Sequence, residues 1–252
     1  MPEIGVQLYS LRREIEADRD SAIAAIPGMG CTGVELANTG DLGADGWHGL
    51  FDSTGLKVLG AHVKLEDLEQ GWEEKADFQR RLGNSRIIVP APQPGWETAG
   101  EAEYRDTARR LNALGRRASE EGFVLAYHNH HWEFEPFGGR AEGLCGMEVL
   151  LEDTDPDLVG WEIDTAWATR GGWDPVAMLR EQEDRVVAVH AKEYRVADGA
   201  EPPMGEGDVD FPDIVDLVKR RSWPLIIEYE GEPAPAGVAQ GAQYLNSLLE
   251  AS

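Results

Sequence analysis

"FVLAYH", residues 123–128, is a short apolar run that closes on a histidine, and it reads as a strand. Runs of the same make recur along the chain: "IGVQLY" (4–9), "GVEL" (33–36), "KVLGAH" (57–62), "RIIVPA" (86–91), "VGWEID" (159–164), "VVAVHA" (186–191) and "LIIEYE" (225–230). Segments with helical spacing lie between them. The clearest is 101–121, where Tyr104, Ala108, Leu111, Leu114 or Gly115, and Ala118 mark one face and Gly122 serves as a C-cap. Others read as helices near 18–27, 72–82, 174–184, 212–221 and 237–250, with weaker ones near 47–54 and 145–152. Strands that alternate with helices are βα units around a parallel sheet. Eight of them favour a closed (β/α)8 TIM barrel over an open doubly wound sheet, and no G-x-G-x-x-G follows the first strand.

No linker or low-complexity segment divides the chain, so residues 1–252 read as a single TIM-barrel domain. The Pro- and Gly-containing stretches at 90–95, 136–146, 198–207 and 231–237 follow strands and read as active-face loops. The net charge is −24, from 47 acidic and 23 basic residues spread along the chain. Such a field repels nucleic acid and anionic membranes. No apolar run is long enough to span a bilayer, and the N-terminus lacks a signal-peptide pattern, so a cytoplasmic protein is expected. Cys31 and Cys145 stand far apart and read as packed small residues.

Chemistry in a TIM barrel sits at the C-terminal strand ends. Those ends carry Glu35, His62, His128, Asp164, His190 and Glu228. Inward positions alternate along a strand, so Gly33, Gly60, Ala126, Glu162, Ala188 and Ile226 should also face inward. Five are small or apolar, as a packed interior requires; Glu162 is the exception and would be a buried carboxylate needing a partner. Six polar groups converging on one rim point to a metal site. His128, Asp164, His190 and Glu228 come from four consecutive strands and can surround one divalent ion. Manganese is the first candidate, with cobalt, iron, nickel or zinc behind it and the oxygen-preferring magnesium last. Such an ion polarises a carbonyl and stabilises the enediolate formed when the neighbouring C–H loses its proton. The base is open among Glu228, Glu230, Glu35, Lys192 and a free histidine. Lys192 either holds an enolate as a cation, acts as base, or pairs with a carboxylate.

These motifs together resemble the sugar phosphate isomerase/epimerase family, the xylose isomerase-like TIM barrels. The matching stretches are "GVQLYSLR", "GVEL", "YHNHHWEF", "IDTAW", "VHAKEY", "GEGDVDF" and "LIIEYE", which run in family order over nearly the whole chain. The resemblance implies one divalent metal on His128, Asp164, His190 and Glu228, the set already reached from parity. His128 stands where the epimerases usually carry a glutamate that is also a base. Trp167 stands where a substrate-binding histidine is common, and it suggests a wall for a ring. The "HNH" and "HAKE" forms look more like the branch acting on keto-sugars, inososes or 3-keto-glycosides.

The resemblance therefore implies a metal-dependent isomerase or epimerase of a sugar or keto-sugar, working through a metal-stabilised enediolate. The rival is a lyase or dehydratase acting on a 3-keto-sugar, 3-keto-glycoside or keto-inositol. A non-catalytic sugar-binding barrel or partner subunit is the reading from a different class. Glu228, Lys192 and His130 are the catalytic candidates. Glu35, His62, Trp167, Glu133 and Glu230 are the candidates for substrate contacts. His131 and Asn129 point elsewhere, and Arg195 is the one nearby phosphate candidate. In "GEGDVDF" (205–211), Asp208 or Asp210 is expected near a helix cap. The expected partner is a small sugar or keto-sugar, with a homo-oligomer compatible and neither nucleic acid nor membrane.

Overall fold

The apolar runs form eight parallel strands: β1 (Ile4–Gln7), β2 (Gly33–Leu36), β3 (Lys57–His62), β4 (Arg86–Val89), β5 (Val124–His128), β6 (Val159–Asp164), β7 (Val186–Ala191) and β8 (Leu225–Ile227). The computed structural model describes residues 2–37, 40, 42–92, 95, 99–139 and 143–251. Each strand pairs with the next and β8 pairs back onto β1, which closes the barrel in chain order. Closure leaves no unpaired edge. Among the described residues the connecting helices are α1 (Arg12–Ala25), α2 (Ala44–Thr54), α3 (Leu65–Arg81), α4 (Glu101–Glu120), α5 (Gly146–Asp153), α6 (Thr165–Arg170), α7 (Pro175–Glu181), α8 (Phe211–Arg221) and α9 (Ala234–Ala251). None is long and apolar enough to cross a membrane.

α2 and α9 begin three residues earlier than their spacing indicates, and α1 and α3 begin six and seven residues earlier, both for the same reason. α1 is broken at Asp18 (φ −157°, ψ 93°) and α3 at Gly71 (φ −144°, ψ 42°). The segments expected near 18–27 and 72–82 are the halves beyond each break. Asp18 caps its second half by accepting from the Ser21 amide at 3.1 Å. The short α6 was not anticipated. Its N-cap is Asp164, the last residue of β6, whose Oδ1 accepts from the Trp167 amide at 2.8 Å. β1 and β8 are shorter than the apolar runs: Leu8–Leu11 turn into a 3-10 helix, and Glu228 and Glu230 stand on irregular chain past β8.

The core has two layers. The outer one lies between strands and helices and includes Leu125, Tyr127, Trp161 and Ile163. The expected face of α4 packs there, with Tyr104, Ala108, Leu111, Leu114, Gly115 and Ala118 all buried. Gly122 follows the α4 cap at φ 81°, a left-handed position that favours glycine. The inner layer is small, formed by Leu59, Ala188 and Ile226 at the bottom of the barrel. Gly33 makes room for Leu59, since a Cβ on it would lie 2.6 Å from Leu59 Cγ.

The β2–β3 register shifts at Val34/Glu35, and the β6–β7 register shifts at Trp161/Glu162. These bulges bring Leu59 and Gly60, and likewise Val187 and Ala188, to the interior as neighbours in sequence. Above this apolar plug the interior is polar. The described parts of the 90–95 and 136–146 stretches follow strand ends; residues 93, 94 and 140–142 lie outside the described residues. The 231–237 stretch runs into α9 at Ala234.

Candidate active site

All six rim residues point into the barrel, and closure brings them together. Pairing aligns His128 with Glu162 and Asp164 with His190. One atom each of His128, Asp164, His190 and Glu228 falls within 4.8 Å of the others. His190 Nδ1 lies 3.1 Å from Glu228 Oε2 and 3.8 Å from Asp164 Oδ2. His190 Nδ1, Asp164 Oδ2 and His128 Nδ1 are all buried without a hydrogen-bond partner. Buried polar atoms are normally paired. Two imidazoles and two carboxylates, three of the four groups with an orphaned atom, fit a divalent cation of borderline softness, so this buried cluster could hold a metal.

A second group shares two of these residues. His62, His128, Glu162 and His190 also offer atoms within 4.8 Å of one another. Glu162, the carboxylate that needed a partner, is fully buried, and its Oε2 sits 2.8 Å from His62 Nε2. The register expected for β6 is therefore right. Glu35 Oε2 accepts from Gln7 Nε2 at 2.6 Å and lies 2.7 Å from His190 Nε2. Both carboxylates lie under the imidazoles, and neither lines the cavity above. Burial pushes the Glu162 carboxyl up, but His190 and His62 beside it overrule that and hold it down at about 2. Burial lowers the proton affinity of His62, yet Glu35 and Glu162 raise it to about 9. Burial drives Asp164 up to about 7 against the pull of Lys192. The rise at His62 is what buried negative charge does to a neighbouring imidazole, and such charge draws in cations.

A cavity of about 320 Å³ opens over the cluster, with His62, His128, His130, Trp167, Glu228 and Glu230 in its wall. That volume lies at the small end for ligand pockets. His130 stacks on Trp132 at 4.1 Å between ring centroids, and burial holds it neutral. Lys192 is 1% exposed, with Nζ 2.9 Å from Glu228 Oε1, 2.6 Å from Glu230 Oε1 and 3.3 Å from Glu201 Oε2. Burial opposes its charge, but Glu228 and Asp164 outweigh burial and keep it protonated. The pairing alternative for Lys192 is thus realised, and a neutral lysine base is disfavoured. Trp167 lines the cavity as a wall, although Lys192 Nζ already lies 4.0 Å from its ring centroid.

Other expected residues are placed elsewhere. Glu133 is fully buried under the loop, where Oε1 accepts from the Tyr127 hydroxyl at 2.6 Å and Oε2 from the His130 amide at 2.7 Å. It holds His130 in place and faces no cavity. Glu35 likewise sits below the pocket and does not reach it. Asn129 exchanges hydrogen bonds with the Asp164 backbone at 3.1 and 3.3 Å. His131 packs against Trp132 and Trp167. Arg195 is tied to Asp198 at 3.0 Å. Asp210 caps α8 through the Asp213 amide, and Asp208 accepts from the Val196 amide at 2.7 Å.

Sequence reasoning missed Gln7, because the first run was read on to Tyr9. It also missed Glu201, for which no local pattern exists. Glu193, the last letter of "HAKE", is buried and accepts from the amides of Tyr194, Gly205 and Val209. It thereby folds the loop that delivers Glu201.

The sequence profile of the xylose isomerase-like TIM barrels matches residues 23–248. The chain belongs to this family. Among its relatives, the inosose dehydratase of Clostridium tetani is 30% identical over 204 residues, covering 68% of this chain and 66% of that enzyme. The match thus spans just under two thirds of that relative's length. The inosose dehydratase of Lacticaseibacillus casei is 24% identical and is matched across 100% of this chain and 92% of its own. A sugar phosphate isomerase/epimerase from Parabacteroides distasonis superposes with a TM-score of 0.82 at 24% identity, over 97% of both chains. The probable 3-DHS dehydratase involved in petrobactin synthesis in Bacillus anthracis superposes at 0.75 with 16% identity, over 97% of this chain and 98% of its own. At such identities, these two structures show that this xylose isomerase-like barrel shares their fold.

Proposed function

We propose that this xylose isomerase-like barrel is a divalent-metal-dependent enzyme that enolises a keto-sugar or keto-inositol and then expels a β-hydroxyl as water. The observation that carries this reading is the set of orphaned atoms of His128, Asp164 and His190 beside Glu228, at the floor of a ligand-sized cavity. A divalent ion in that set, manganese first, supplies the positive charge that makes the C–H beside a carbonyl acidic. His128, Asp164, His190 and Glu228 would hold it. His130, kept neutral by burial, accepts the proton from that carbon. Lys192, kept protonated, fixes Glu228 and Glu230 in the cavity wall as a standing charge, and the proton taken up by His130 is passed to the departing hydroxyl so that it leaves as water. Trp167 closes one side and limits water. The inosose dehydratase relatives support elimination as the outcome.

Isomerisation is the second reading. It is favoured by proton-transfer groups on more than one strand end, His130 after β5 and Glu228 after β8, which allow return of a proton to a different position. Incubation of the manganese-loaded protein with a panel of keto-inositols and keto-sugars in deuterated water separates the two. Deuterium uptake with loss of water supports the dehydratase, and uptake with unchanged formula supports the isomerase. Neither exchange nor turnover across the panel would contradict both.

A further inference from the structure

One imidazole of the proposed metal set, that of His190, turns its second nitrogen to a buried carboxylate. His190 Nε2 lies 2.7 Å from Glu35 Oε2, while its Nδ1 faces Asp164 and Glu228. His128 Nδ1 lies 3.1 Å from Glu162 Oε2. His62 Nε2 stands between the two carboxylates, 3.0 Å from Glu35 and 2.8 Å from Glu162, and Gln7 fixes Glu35 from the β1 side. Glu35 and Glu162 have no exposed surface, so substrate does not reach them.

We infer that Glu35 is a positioning residue that acts through an imidazole of the metal set. It holds the proton on His190 Nε2, which leaves His190 Nδ1 as the ligating atom. A carboxylate behind a ligand histidine fixes its ring and raises its basicity. This assignment rests on the metal reading above, and it turns Glu35 from a substrate contact into a support for the ion.

The test is manganese affinity by calorimetry for the wild type, Glu35→Gln and Glu162→Gln, with nitrogen NMR of histidine-labelled, zinc-loaded wild type. The NMR arm reports the tautomers directly and does not depend on how well the variants fold. Affinity should fall about 10–100-fold in Glu35→Gln, and the spectra should show Nε2–H on His190. An affinity unchanged within about twofold in that variant, or the reverse tautomer, would overturn the inference while leaving the metal reading intact. If Glu162→Gln and His62→Asn abolish binding while Asp164→Asn and Glu228→Gln do not, the ion sits in the lower cluster and the inference fails. A wild type that binds no divalent ion defeats the metal reading as well.

Discussion

Lys192 is the clearest case of a residue whose surroundings decide its role. With Glu228, Glu230 and Glu201 within 3.3 Å, its ammonium is a fixed charge. Lys192→Met leaves those carboxylates facing one another. The expected cost is about 3 kcal/mol, the low end for one partner of a buried pair because Glu230 and Glu201 keep solvent contact. Turnover should drop by about 10²–10⁴. Urea unfolding and steady-state rates check both, and wild-type turnover in the variant would refute the role. Glu133 offers a pH test. Burial raises its carboxyl to about 8 from an ordinary value of 4.5. The folded state therefore holds a proton that the unfolded chain has already lost. The stability this confers is present below about pH 4.5 and disappears as pH rises through about 8. Melting temperatures of wild type and Glu133→Gln should converge at low pH and separate in favour of the variant above it; parallel curves would refute this. Residue chemistry was legible where parity carried it. His128, Asp164, His190 and Glu228 were placed together from strand ends alone. Glu133 and Glu35 were read as substrate contacts because a carboxylate near a rim looks the same in sequence whether it faces the cavity or the loop beneath.

The strands were legible as elements because their apolar runs are short and end in polar side chains. The bulges were not, since an extra residue in β3 or β7 leaves the apolar pattern unbroken. They matter for the site. At the β3 bulge, Gly60 faces Glu35: a Cβ there would lie 2.4 Å from Glu35 Oε1 and 2.8 Å from Ile88 Cδ1. Gly60→Ala should destabilise by about 1–3 kcal/mol, as overpacking does, and should weaken manganese binding by displacing Glu35. Calorimetry beside thermal melting reads both, and undiminished affinity would show that Glu35 tolerates the shift. The first halves of α1 and α3 escaped notice for a related reason. Asp18 and Gly71 interrupt the helical period, so the spacing on either side does not add up to one pattern.

At the scale of the whole molecule, the acidic composition and the barrel act together. Several described arginines reach acidic partners across neighbouring helices, as Arg110 does with Glu69 and Arg180 with Asp213. The excess negative charge stays on the surface and also gathers at the floor of the cavity. There it becomes specific: eight strands from distant parts of the chain turn single polar residues into one cation-seeking cluster. Diffraction from manganese-soaked crystals at the manganese absorption edge addresses that cluster most directly. One anomalous peak is expected about 2.0–2.3 Å from atoms of His128, Asp164, His190 and Glu228. A peak between His62 and Glu162 instead, or none at the cavity floor, would contradict the metal reading.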